Sequence, residues 1–148
     1  MVRAYTRASI HLRLSRHHRV VDYWTAGGER MLLEDQLARL VAQLEDMLGA
    51  PFRILYGYAA PSQCRRDGKL PAHGRGLAID LQVPKGVSPP LVLLLLETML
   101  EGRGGLGWHR AGRRSYIHLD LCGKPTRWIR KGKRGPRRPT DSFAPPQG

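Results

Sequence analysis

Apolar positions along this chain follow two different periods. Leu33, Leu37, Leu40, Val41, Leu44 and Leu48 recur every three or four residues, the spacing of one helical face, and predict a helix over residues 29–48. Glu34 and Asp35 suit its positive N-terminal end and Gly49 is a natural C-terminal cap. Pro51 stops the helix, and residues 52–56 read as a short strand. From Leu77 the period becomes two: Leu77, Ile79, Leu81 and Val83 share one face, and Ala78, Asp80 and Gln82 the other. The pattern returns at residues 115–121, with Ile117, Leu119 and Leu121 opposite Tyr116, His118 and Asp120. Between these strands, Ser88 as N-cap and Pro89 at the first helical position open a second helix to about Glu101. That helix is apolar almost all round, so deep packing is expected. Residues 102–107 carry mostly glycine and read as a flexible connection that lets backbone approach a cleft closely. Asp22 to Thr25, followed by Gly27 and Gly28, reads as a turn. Together these elements predict an α+β domain, a small antiparallel sheet flanked by helices.

The polar faces of the two strands hold the chemistry. With their apolar faces against a core, Asp80 and His118 point the other way, and a Gly-containing turn carries His73 just before the first strand. Two histidines and one carboxylate leave a coordination place on zinc open for water, the arrangement of a catalytic rather than a closed structural site. Each residue taken singly reads as an ordinary solvated polar side chain; only the three together suggest a metal site, and spacing alone leaves both readings open. Asp120 would project to the same face as His118, either as general base or as support for an imidazole N–H. His109, on the loop before the strand, is a second candidate, for acid or transition-state stabiliser.

His73-x-x-Gly76-x-Ala78-x-Asp80, then Gly104-Gly105-Leu106-Gly107-Trp108, then Tyr116-Ile117-His118-Leu119-Asp120 appear in that order, followed by Arg127-Trp128. This series resembles the zinc D-alanyl-D-alanine carboxypeptidase and L-alanyl-D-glutamate endolysin family, in particular a small subgroup with a His-x-Asp strand and a following Arg-Trp. The similarity spans residues 33–128. It implies a Hedgehog/DD-peptidase-like fold, zinc held by His73, Asp80 and His118, and hydrolysis of amide bonds in peptidoglycan stem peptides. The chain also departs from the family pattern. Relatives carry Ser-Gly-Tyr-Arg where this chain has Tyr56-Gly57-Tyr58-Ala59, and a Ser where it has Pro71. The acid or His that relatives place two or three residues before the last ligand is here Tyr116 or Ser115. The first departures concern substrate handling, for which Arg65 or Arg66 is a candidate replacement clamp; the last leaves the base unfilled in its usual place.

Composition narrows the setting. The 148 residues fit one domain, and a formal net charge of +13 predicts attraction to a polyanion. Residues 1–20 are expected as a basic arm, 21–130 as the peptidase-like domain, and 131–148 as a basic disordered tail. No apolar run of signal-peptide or membrane-spanning length is seen, so an enzyme of the wall would arrive by another route, such as a phage lysis system. Cys64 and Cys122 lack the spacing of a zinc ribbon, and their pairing is left open. The glycine run lacks the Lys-Ser/Thr of a phosphate-binding loop. The leading expectation is a monomeric zinc peptidase whose basic segments hold it on anionic wall polymer. The alternative is a wall- or virion-binding module with an impaired metal site. Non-specific nucleic-acid binding through the basic tails ranks third, since no recognition motif accompanies the charge.

Overall fold

The computed structural model describes residues 1–64 and 71–132, apart from the side chain of Cys64. In chain order they form β1 (Val2–Thr6), α1 (Val20–Tyr23), β2 (Trp24–Ala26), β3 (Arg30–Glu34), α2 (Asp35–Leu48), β4 (Arg53–Tyr56), β5 (Tyr58–Ala59) and α3 (Pro61–Cys64). There follow β6 (Ala78–Gln82), α4 (Pro89–Leu100), β7 (Gly105–Arg110), β8 (Tyr116–Asp120) and β9 (Thr126–Lys131). The main sheet has five strands in the order β4-β6-β8-β7-β9, antiparallel except that β9 runs parallel to β7. Two-stranded pairings of β1 with β3 and of β2 with β5 complete a mixed helix-and-sheet chain, the expected α+β class.

One face of the main sheet is greasy. Ile79 and Leu81 of β6, Ile117 and Leu119 of β8 and Leu106 of β7 pack with the α2 stripe Leu37, Leu40, Val41 and Leu44, and with Val92, Leu96 and Leu100 of α4. Burying each such side chain contributes about 1.5–3 kcal/mol. The period-two alternation then forces Asp80, His118, Asp120, Gly105 and Gly107 onto the opposite face.

Several expectations are corrected. The helix begins at Asp35, not residue 29, because Met31 and Leu33 alternate as buried residues of β3 and Glu34 is the N-cap, accepting from the Gln36 N–H. Gly49 does cap the helix, in the left-handed conformation at φ 64°. Residues 1–20 are not a solvated arm. β1 pairs along its length with β3, Ile10 and Leu14 pack against the core, and His18 is buried against Glu45 at 2.8 Å. Backbone pairing needs no apolar side chains, so the arginines stay in water while the chain itself is fixed. Within the supposed turn at residues 22–25, Tyr23 ends α1 and Trp24 opens β2. The glycine connection is ordered from Gly105 as β7, and the basic stretch after Gly123 contributes β9. α4 is not wholly buried either, since Leu91 and Leu94 are exposed on its outer side. Residues 133–148 of the expected tail, and Arg65 and Arg66, lie outside the described residues.

Candidate metal centre

Register alone assembles most of the site. Tyr56 lies opposite Asp80, Asp80 opposite His118, His118 opposite Gly107, and Gly107 opposite Trp128. One cross-strand row thus runs over all five strands, with Asp80 and His118 at its centre. His73 arrives from outside the sheet on a single 3-10 turn, Ala72–Arg75, with Pro71 as its N-cap. Gly76 ends the turn at φ 73° against the Leu32 backbone, where a Cβ would collide; glycine alone permits this close approach.

The ligand atoms of His73, Asp80 and His118 all lie within 4.8 Å of one another, and all three residues are buried. His73 Nδ1 is 2.9 Å from the Gly57 carbonyl oxygen. A carbonyl only accepts, so Nδ1 carries the proton and Nε2 presents its lone pair toward Asp80 Oδ2, 3.7 Å away. Burial, partly opposed by the Asp80 charge, pulls the His73 pKa down to about 4, which keeps the ring neutral. Tyr56 packs edge-on against it, with ring centroids 5.3 Å apart.

His118 is held at both ring nitrogens, Nδ1 by Asp80 Oδ1 and Nε2 by Asp120 Oδ2, each at 2.8 Å. Burial works against its imidazolium, but hydrogen bonds to Asp120 and Asp80 and the charge of both carboxylates outweigh it and push the pKa up to about 9. Asp120 therefore touches the side of the imidazole away from Asp80. Its other oxygen, Oδ1, accepts the Cys122 N–H at 3.0 Å. Despite burial its own pKa is lowered, by the His118 hydrogen bond and charge and by Cys122.

The donor set fits a divalent metal. His73, Asp80 and His118 supply two imidazoles and a carboxylate, and each imidazole has an acceptor at its outer nitrogen, Gly57 O or Asp120 Oδ2. Such acceptors orient metal-binding histidines. Both expected strands and the expected turn therefore bring their residues together. Asp120 is likewise at the site, in the geometry of imidazole support. His109 lies on the same face, opposite Tyr116, where its ring stacks at a centroid distance of 5.0 Å.

The sequence reading missed other parts of the site. Tyr56, noted there only as a departure from a pattern, flanks His73, and its neighbour Gly57 holds it. Gly105 leaves room for the Asp120 carboxylate, and a Cβ there would overlap it. Among the described residues Cys122 has no disulfide partner; the Arg75 guanidinium is 3.4 Å from its sulfur, and burial pushes its pKa up to about 11.

A groove of about 960 Å³ opens beyond the end of β6, its walls including Arg53, Gln82, Lys85, Arg113 and Ser115. Gln82 is two residues from Asp80, a strand rise of about 7 Å. Among the described residues, no helix is long and apolar enough to cross a membrane. Comparison with known proteins brought no match to a family model, a curated protein or a solved structure.

Proposed function

We propose that this chain is a zinc-dependent peptidase that hydrolyses amide bonds of peptidoglycan stem peptides, on a fold of the Hedgehog/DD-peptidase kind. The observation that carries the reading is the buried His73–Asp80–His118 trio, in which both imidazoles are anchored from behind. The order of the motifs that resemble that family supports the substrate class. A zinc ion in the trio would supply Lewis-acid polarisation of the scissile carbonyl and a water of lowered pKa.

The remaining work falls to this chain's own groups. Gly57 fixes the His73 tautomer through its carbonyl. Asp120 fixes the orientation of His118 and serves as a positioning residue rather than the base, because both its oxygens are already engaged. His109, further along the same face, is the proton carrier in this proposal. The groove walled by Arg53, Lys85 and Arg113 presents positive charge suited to an anionic wall polymer.

Purified protein should release new amino groups and shortened stem peptides from peptidoglycan, resolved by mass spectrometry. Chelation and His73→Ala should each abolish that release. Full activity in chelator would reject the proposal. The commitment of Asp120 to His118 and Cys122 favours a second reading, a wall-binding module that holds metal without cutting. One bound zinc per chain together with undigested wall would establish that reading instead.

A further inference from the structure

Trp128 stands two strands from His118 in the cross-strand row, with Gly107 between them. Neighbouring strands lie about 4.8 Å apart, so two residues so placed have backbones nearly 10 Å apart. Their rings nevertheless approach to 6.0 Å between centroids, tilted by 35°. The approach is open only because Gly107 has no side chain: a Cβ there would collide with the indole at Cε2, Cζ2 and Cδ2. The indole thus lies over bare backbone and reaches the imidazole. Arg130, two residues further along β9, places its guanidinium 5.5 Å from the centre of the Trp128 ring. The β9 backbone is fixed in turn, since Arg127 pairs with Glu97 of α4 and donates to the Gly104 carbonyl.

We infer that Trp128 is a positioning residue for the metal ligand His118, and that Gly107 is the gap through which it acts. Asp80 and Asp120 grip the imidazole at its two nitrogens, within the ring plane. Neither closes the side toward β7. The indole fills that side and limits tilting of the ring, so that Nδ1 stays directed at the place shared with His73 Nε2 and Asp80. The inference rests on the trio holding a metal ion and is independent of whether peptide is cut.

Cobalt(II) titration of metal-free protein tests it without an activity assay, with affinity read from the visible absorption of bound cobalt and proximity to Trp128 read from tryptophan fluorescence. Binding beside Trp128 should quench wild-type emission. Trp128→Phe should remove most of that quenching while keeping cobalt affinity within a few-fold, because a flat ring remains. Trp128→Leu should weaken cobalt binding by about tenfold or more. Gly107→Ala should weaken it similarly while Trp128 is present, and add little in the Trp128→Leu background, the coupling of two residues that act as one unit. Wild-type affinity in Trp128→Leu, or additive losses in the double variant, would overturn the inference. If Gly107→Ala does not fold, the contrast between the Phe and Leu variants decides alone. Failure of the wild type to take up cobalt or zinc would overturn the metal centre itself, whereas metal uptake without hydrolysis would overturn only the peptidase reading.

Discussion

Asp120→Asn probes the centre with almost no change in shape. In the native site one Asp120 oxygen accepts from His118 Nε2 at 2.8 Å and the other from the Cys122 N–H at 3.0 Å. An amide has only one oxygen. If it faces Cys122, its NH2 faces Nε2, and the imidazole must accept there and carry its proton on Nδ1, the atom that should bind metal. If the oxygen faces His118, the NH2 meets the Cys122 N–H donor to donor, leaving a buried group unsatisfied at a cost of about 1–3 kcal/mol. Either orientation penalises the loaded state. Loss of an outer-shell partner of this kind lowers metal affinity by about 10–100-fold, or about 1.4–2.8 kcal/mol. Competition with a chromophoric chelator at fixed pH measures the affinity, and unchanged secondary structure by circular dichroism shows that folding is intact. Zinc affinity equal to wild type would refute the imidazole-anchoring role of Asp120. Affinity retained with hydrolysis lost would instead make Asp120 the base.

Four further outcomes follow from other contacts. In metal-free protein the raised pKa of His118 contributes stability that is fully present below about pH 6.5 and lost as pH rises through about 9, at most about 3 kcal/mol, readable in urea titrations at pH 7 and pH 10. The depressed pKa of His73 has the opposite sense, so its contribution is lost as pH falls from about 6.5 toward 4, and His73→Ala should flatten that acid limb in the same titrations. His18→Ala should cost about 3–5 kcal/mol by thermal or urea unfolding, because it strips the buried Glu45 carboxyl of its imidazole and leaves the Phe52 N–H at 2.8 Å. Gly57→Ala should both destabilise the fold and weaken zinc binding, since its Cβ would strike the Tyr23 carbonyl and displace the oxygen that anchors His73; calorimetry with and without zinc checks both.

The local periods carried a large share of this fold. Five leucine and valine positions at helical spacing, from Leu37 to Leu48, gave away α2, and the two-residue alternation on β6 and β8 settled which of their residues share the site face, because a strand has only two faces. What escaped was non-local pairing. Residues 30–34 read as helix from their leucines, yet β1 waits beside them as a partner, and no pattern within either stretch announces the other. β9 shows no apolar alternation to mark it as a strand, because a strand at a sheet's edge can leave its charges in water, with Arg127 held by Glu97 from a distant helix.

For the site, residue types and spacing made His73, Asp80 and His118 candidates, and the resemblance to the zinc peptidases made them the expected ligand set. Strand register then decided that Asp80 and His118 are direct neighbours, and a loop carbonyl at Gly57 decided which nitrogen of His73 is available. The placing of Trp128 over Gly107 belongs to tertiary structure alone: it depends on β9 returning parallel beside β7, a pairing made after the chain has passed through β8. Short-range chemistry is written in consecutive residues, whereas the neighbours that orient it meet only when distant backbones hydrogen-bond.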